Sequence, residues 1–334
     1  MTSDARWFGG IDLGGTKIAA VVTDGEGTAR GDAKRSTPVK GSPGDVVAEM
    51  ARTLADATRA AGLETGDLAA VGVGAPGAVE RRTGTLLRAP NLPGFDGPYP
   101  LGPELSKLIG VRVVLGNDVG VAVEAEFALG AGRPFSSLLG VWWGTGIGGA
   151  VILGGRRWLG RGAAGEFGHT VVKLNGRREP GGLEGTVEAY AGRAALELRA
   201  RALVRRGEKT VLFRLMEKRG RARLSSGVWA DALERGDPMA TRLIGQAVEA
   251  IGAGAASAVN LLDLEAIVVG GGQGDRLGQP YADRIAAAMQ PRLFQPEKAP
   301  PVLASALGDL AGSVGAALLA RGTGRRARSR ATGA

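Results

Sequence analysis

The chain has 334 residues, is 44% hydrophobic and 22% charged, and contains no cysteine. That composition is globular, with enough length for two domains that each bury a core. It excludes disulfides and cysteine-ligated metals, and without an 18-residue apolar run no membrane-spanning helix is expected. The start, Met1-Thr2-Ser3-Asp4-Ala5-Arg6, lacks the basic and apolar regions of a signal peptide, so a cytoplasmic protein is expected.

The formal charge of +9 is local. Residues 199–223 hold ten Lys/Arg against two Glu, and residues 321–334 hold five Arg and no acid, so the remainder sums to −4. The pattern reads as a solvated helical face and a disordered basic tail from 323 on, more than as a surface for nucleic acid.

Three short strands open the chain: Trp7–Leu13, Ile18–Thr23 and Thr28–Ser36, joined by Gly14-Gly15 and Asp24-Gly25-Glu26-Gly27 turns. Ser42 reads as an N-cap and Pro43 as the first residue of a helix running to about Ala61. Leu68–Gly74 is a strand ending in Ala75-Pro76-Gly77. Val111–Leu115 is another, ending at Gly116-Asn117-Asp118 before a helix over Val119–Leu129. The opening pattern then returns as Ser137–Trp143, a Gly144-Thr145-Gly146 turn, Ile147–Leu153, Gly154-Gly155, and Arg156–Leu159. We read this as an internal duplication of one supersecondary unit. A long helix over Pro238–Leu262 is capped by Asp237. Glu265–Val269 runs into Gly270-Gly271-Gly272, Val302–Ala304 is a last strand, and Asp309–Ala320 is a helix whose Gly312, Gly315 and Ala316 permit close packing. Two α/β lobes with a ligand cleft between them are expected. The small one covers 1–120, completed by a helix over 306–322, and the large one covers 121–305.

Three glycine turns bear on chemistry. Asp12-Leu13-Gly14-Gly15-Thr16-Lys17 reads either as a plain hairpin turn or as a phosphate cradle, with N–H groups and the Thr16 hydroxyl as donors and Asp12 available to Mg²⁺. Trp143-Gly144-Thr145-Gly146-Ile147-Gly148-Gly149 repeats the device in the second meander, which strengthens the phosphate reading. Neither is a Walker loop, since no Gly-x-x-x-x-Gly-Lys-Ser/Thr leads from strand to helix. Gly270-Gly271-Gly272 suits close approach of a flat nucleotide. Asp118, at a strand end, reads either as a helix N-cap or as a general base, with Asn117 beside it to bind a substrate. Glu166, His169 (the chain's one histidine) and Glu188 could form a polar pocket that reads hydroxyls.

Taken in order, these motifs resemble the ROK family of bacterial sugar kinases and repressors, most closely its glucokinases, over about 7–320. The resemblance implies the two-lobed, actin-like/ribonuclease-H-like ATPase fold, ATP and Mg²⁺ as cofactors, a hexose substrate and a homodimer. It implies phosphate binding at Asp12–Lys17 and Gly144–Gly149, adenosine contact at Gly270–Gly272, catalysis by Asp118, and sugar contact at Gly77, Asn91, Asn117, Glu166, His169 and Glu188. Most members also carry a zinc site, a His followed by Cys-x-Cys-Gly-x-x-Gly-Cys-x-Glu. Here the three cysteine places hold Glu179, Gly181 and Thr186, so no structural zinc is expected and the loop 174–187 must be held by its own packing. The family's repressors add an amino-terminal helix-turn-helix; with a first strand expected at Trp7 and no segment that reads as a recognition helix, a repressor is not expected. The expected activity is transfer of the terminal phosphoryl of ATP to the 6-hydroxyl of glucose. Other hexoses (N-acetylglucosamine, N-acetylmannosamine, fructose, allose) and polyphosphate as donor are the alternatives.

Overall fold

The computed structural model describes residues 6–331, with side chains described to Gly322. Two compact units divide between Leu129 and Gly130 and again between Gly308 and Asp309.

The first unit holds β1 (Trp7–Leu13), β2 (Lys17–Thr23), β3 (Ala29–Ser36), α1 (Pro43–Ala60), β4 (Leu68–Ala75), β5 (Ala78–Glu80), β6 (Thr85–Arg88), α2 (Leu101–Ile109), β7 (Val113–Asn117) and α3 (Asp118–Leu129). Its main sheet runs β3-β2-β1-β4-β7, with β1, β4 and β7 parallel. The second unit holds β8 (Leu138–Trp143), β9 (Ile147–Leu153), β10 (Arg156–Trp158), α4 (Val187–Ala191), α5 (Arg193–Arg205), α6 (Leu212–Lys218), α7 (Ser226–Glu234), α8 (Pro238–Leu262), β11 (Ala266–Gly270), α9 (Gly271–Leu277), α10 (Gln279–Met289) and β12 (Val302–Ala304). Its sheet runs β10-β9-β8-β11-β12. Both sheets thus follow the order third, second, first, fourth, fifth, with the first strand parallel to the fourth. The duplication read from the strand pattern is a duplication of topology.

Local chemistry places the helix starts. Asp45 accepts from the Ser42 N–H at 2.7 Å and the Ser42 hydroxyl at 2.8 Å, which closes the first turn of α1. Asp237 accepts from the Ala240 N–H at 2.8 Å at the start of α8, and its other oxygen takes the Val211 N–H at 2.8 Å, tying the basic segment to that helix. Within that segment Leu203, Leu212 and Leu215 are buried. Arg201 pairs with Glu197 at 2.7 Å and Arg219 with Asp231 at 2.6 Å, so part of its positive charge is spent locally.

The last helix, α11 (Ala311–Ala331), belongs to the first unit. It lies against β1 and β4 at backbone contact: a Cβ at Gly10 would stand 1.9 Å from the Ser313 carbonyl oxygen, and one at Gly72 1.8 Å from that of Ala316. Gly315 meets the Val121 carbonyl of α3 in the same way, at 1.9 Å. This contact keeps α3 with the first unit, so the division falls after Leu129 and not at 120. The helical backbone also runs beyond Arg321 to Ala331, through most of the stretch expected to be a disordered tail; residues 332–334 lie outside the described residues. The helical face expected over 199–223 is formed by α5 and α6; it begins earlier, at Arg193, and is broken between Arg205 and Leu212. The β5–β6 hairpin, α2, α4, α7, α9 and α10 were not expected, several of them only five to nine residues long and too short to show a period.

Candidate active site

The first glycine turn is a loop between β1 and β2, closed by the Gly14 N–H donating to the Lys17 carbonyl at 2.9 Å. Thr37 braces it from outside, its hydroxyl donating to the Gly14 carbonyl at 2.6 Å. Among the described residues, the N–H groups of Gly15 and Thr16 find no protein acceptor. The second turn repeats this. The Gly144 N–H donates to the Gly146 carbonyl at 3.0 Å, and the next two N–H groups, Thr145 and Gly146, have no protein acceptor among the described residues. Each turn therefore offers two adjacent backbone donors at the equivalent end of its sheet, the arrangement that receives phosphate oxygens. The Thr145 hydroxyl accepts from Arg193 at 3.0 Å.

Asp12 alternates with Gly10 on β1, so it faces α11, where Gly312 leaves room for its carboxyl: a Cβ there would stand 2.7 Å from the Asp12 Oδ2. Burial pushes the Asp12 pKa up to about 6, the Lys17 charge opposes the rise, and Asp309 adds to it. Lys17 and Lys34 both reach Asp309 at 3.3 Å, and their charges hold that carboxyl below its ordinary range against its partial burial.

The register Asp12–Gly74–Gly116 runs across β1, β4 and β7. Two strand spacings, about 10 Å, separate the outer pair. Asp118 follows Gly116 at this same sheet edge. The two readings of Asp118 are separated by its neighbour. The cap of α3 is Asn117, whose Oδ1 accepts from the Gly120 N–H at 2.9 Å. The amide of Asn117 faces the other way, donating to Asp118 Oδ1 at 3.1 Å and to the Gly77 carbonyl at 3.3 Å. Asp118 Oδ1 also accepts from the Val119 N–H at 2.8 Å. Gly77 holds φ +77°, and a Cβ there would stand 2.2 Å from the Arg88 carbonyl oxygen, so only glycine fits. Asn117, Asp118 and Gly77 are thus one contact group. Asn91 lies over Gly15 of the first turn.

In the second unit Glu166 precedes a single 3₁₀ turn, Phe167–His169, and both Glu166 and His169 are exposed. Glu188 lies on α4, and its Oε2 accepts from the Ile147 N–H at 2.7 Å. A Cβ at Gly146 would stand 2.3 Å from that oxygen, so Glu188 packs directly on the second turn. Burial raises the Glu188 pKa; the Ile147 hydrogen bond and His169 oppose this, and Glu179 and Glu166 add to it. The third glycine run is not a turn but the junction of β11 and α9. Gly270 packs on the Trp142 ring and Gly271 on the Trp143 backbone, leaving Gly272 the most open of the three. A cavity of about 740 Å³ opens elsewhere in the second unit, lined by Lys173, Arg177, Tyr190, Gln246 and Glu249 among others, and holds none of the residues singled out from the sequence.

Of the three places where the family motif has cysteines, Glu179 and Thr186 are buried, and Thr186 donates its hydroxyl to Glu179 Oε2 at 2.6 Å. No group of three or more His, Cys, Asp or Glu suited to a metal ion occurs among the described residues. In the sequence Glu179 stands out only as the residue at one of the cysteine places, and no local pattern announces its partners.

The family model for the ROK family matches residues 8–323. The chain belongs to the ROK family. It is 30% identical to a glucokinase of Thermotoga maritima over 92% of this chain and 95% of that one, and 34% identical to a glucokinase of Streptomyces coelicolor over 93% and 96%. Kinases of other sugars match as well, among them an N-acetylgalactosamine kinase of Shewanella, 30% identical over 94% of this chain and 96% of that one. Among solved structures, a ROK family glucokinase from Streptomyces griseus in complex with glucose and AMPPNP superposes with a TM-score of 0.78 at 33% identity, covering 95% of this chain and 99% of that one. The fold is thus that of the ROK sugar kinases, the actin-like ATPase type.

Proposed function

We propose that this ROK protein is an ATP-dependent hexose kinase that phosphorylates the 6-hydroxyl of glucose, with Asp118 as general base. The observation that carries the reading is the pair of matching turns, each with two adjacent N–H donors that find no acceptor among the described residues, together with a strand-end carboxylate whose capping duty is taken by Asn117. The glucokinase relatives and the homologue bound to glucose and AMPPNP support the substrate pair.

In this reading Gly14, Gly15, Thr16 and Lys17 of the first unit and Gly144, Thr145 and Gly146 of the second hold the phosphates, and Gly270–Gly272 lie on the adenosine side. Gly77, Asn91, Asn117, Glu166, His169 and Glu188 contact the sugar. Asp118 accepts the proton of the 6-hydroxyl as that oxygen forms a bond to the terminal phosphorus, and the bond from phosphorus to the bridging oxygen breaks to release ADP. The protein's share of catalysis is placement and charge: backbone donors meet the oxygens on which negative charge builds. Asp12 fits Mg²⁺, because Mg²⁺ keeps several waters and phosphate oxygens and needs only one or two carboxylates from the protein. When bound, Mg²⁺ neutralises charge on the phosphates. No helix among the described residues is long and apolar enough to cross a membrane. A cytoplasmic homodimer serving glycolysis, without structural zinc, completes the proposal.

The N-acetylgalactosamine kinase among the relatives favours one second reading, a different hexose. Phosphoryl transfer measured across a panel of hexoses and N-acetylhexosamines, with ATP and polyphosphate as donors, tests both. Glucose with Mg²⁺ and ATP should give the highest kcat/KM; absence of transfer to every sugar would reject the proposal. Asp118→Asn should leave glucose binding largely intact and lower kcat by about 10²–10⁴-fold, the scale of a lost general base.

A further inference from the structure

Glu179 takes no part in the chemistry above, yet its side chain is only 1% exposed and bridges two residues that flank it at a distance in sequence. Its Oε1 lies 3.3 Å from Nδ1 of His169. Its Oε2 accepts the Thr186 hydroxyl at 2.6 Å, and the Thr186 Oγ1 in turn accepts from the Ala189 N–H at 3.1 Å, capping α4. Glu188 is the second residue of that helix. The remaining cysteine place, Gly181, belongs to the same arrangement. A Cβ at Gly181 would stand 3.0 Å from Glu179 Oε1, so a larger residue there would press on the carboxylate. Glu179, Gly181 and Thr186 are therefore not three unrelated losses of a ligand. They form one clasp: a carboxylate, the space it needs, and its hydroxyl donor.

We propose that Glu179 is the positioning residue of the sugar-facing wall, holding the His169 proton on Nδ1 and seating Glu188 through Thr186. A buried carboxylate beside Nδ1 selects the neutral tautomer protonated there. The outer nitrogen, Nε2, then presents a lone pair, which suits a hydroxyl that donates its hydrogen. The same carboxylate fixes the first turn of α4, so His169 and Glu188 are oriented by one group. The class of ligand this arrangement selects is a polyol with a hydroxyl donor facing the imidazole. This rests on the reading that His169 and Glu188 contact the sugar, but its first test needs no sugar.

His169 is the only histidine, so protein labelled with ¹⁵N-histidine and purified without a histidine tag gives one imidazole. At a pH where the ring is neutral, the nitrogen shifts of wild type should show Nδ1 protonated and Nε2 bare. Glu179→Gln is nearly isosteric. Its amide oxygen stays with the Thr186 hydroxyl and its NH₂ faces Nδ1, which reverses the tautomer. In kinetics, Glu179→Gln should raise the glucose KM by roughly 10-fold or more, the scale of one misdirected hydrogen bond to a substrate hydroxyl. Its kcat and ATP KM should stay within a few fold. Thr186→Ser should keep the wild-type glucose KM and Thr186→Val should raise it. An unchanged tautomer in folded Glu179→Gln would overturn the proposal, as would a loss confined to thermal stability. A wild-type enzyme inactive on every hexose would reject the kinase reading and leave the tautomer measurement to decide this one.

Discussion

Asn117→Asp isolates the amide that faces Asp118. Aspartate caps a helix about as well as asparagine, so the bond to the Gly120 N–H at 2.9 Å is kept and the fold should melt near the wild-type temperature. What changes is the other side of the group. The Nδ2 donor, 3.1 Å from Asp118 Oδ1, becomes an oxygen, and two carboxylates share the space. At that separation two full charges repel by about 5 kcal/mol at an effective dielectric of 20. Rotation of Asp118, water, and protonation of one member of the pair relieve most of this. A paired carboxylate resists ionisation, so at a given pH less of the base is available. Activity at neutral pH should fall by about 10–100-fold and recover as pH rises, because the acid limb of the kcat/KM profile moves to higher pH. The assay is kcat/KM for glucose from mildly acidic to alkaline pH at saturating Mg²⁺ and ATP, with a melting curve on the same preparation. A wild-type pH profile in a normally folded variant would refute the idea that the Asn117 amide holds Asp118 ready as a base.

Three further outcomes follow from the geometry. Burial raises the Asp12 pKa to about 6, above its ordinary 3.8, so without Mg²⁺ or nucleotide its contribution to stability is full below about pH 3.8 and is lost as pH rises through 6. Asp12→Asn should therefore melt higher than wild type at pH 7 and above in the metal-free state, with the gap closing toward pH 4; a gap independent of pH would contradict the burial argument. Gly72→Ala puts a methyl 1.8 Å from the Ala316 carbonyl oxygen, so α11 must shift, at a cost of about 1–3 kcal/mol or more; an unchanged denaturation midpoint would mean that the contact is loose. Metal analysis of purified protein should find no stoichiometric zinc, since a buried Glu179 bonded to Thr186 occupies the place of thiolate ligands, and stoichiometric zinc would overturn that assignment.

Much of the molecule is legible in its residues because the causes act over short distances. Ser42-Pro43 and Asp237-Pro238 start α1 and α8 where their local chemistry says they should. Glycine turns between apolar runs place β1, β2, β8 and β9 within a residue, and the repetition of that pattern announces two sheets of one topology. The order of the motifs is enough to suggest the family. Other features depend on residues far apart in the chain. Asn117 and Asp118 are adjacent and both can cap a helix, so only the folded geometry shows Asn117 capping and its amide turned toward Asp118 and Gly77. α11 reaches β1 and β4 some 240–300 residues back, and backbone contact at Gly10 and Gly72 is a property of packed surfaces that no window of sequence displays. The glycine turns and Asp118 at a strand end were thus written locally, as propensity and period. The pairing of Glu179 with His169 and Thr186 was decided by tertiary packing, because burial gives a carboxylate a strong reason to find partners but does not say which ones.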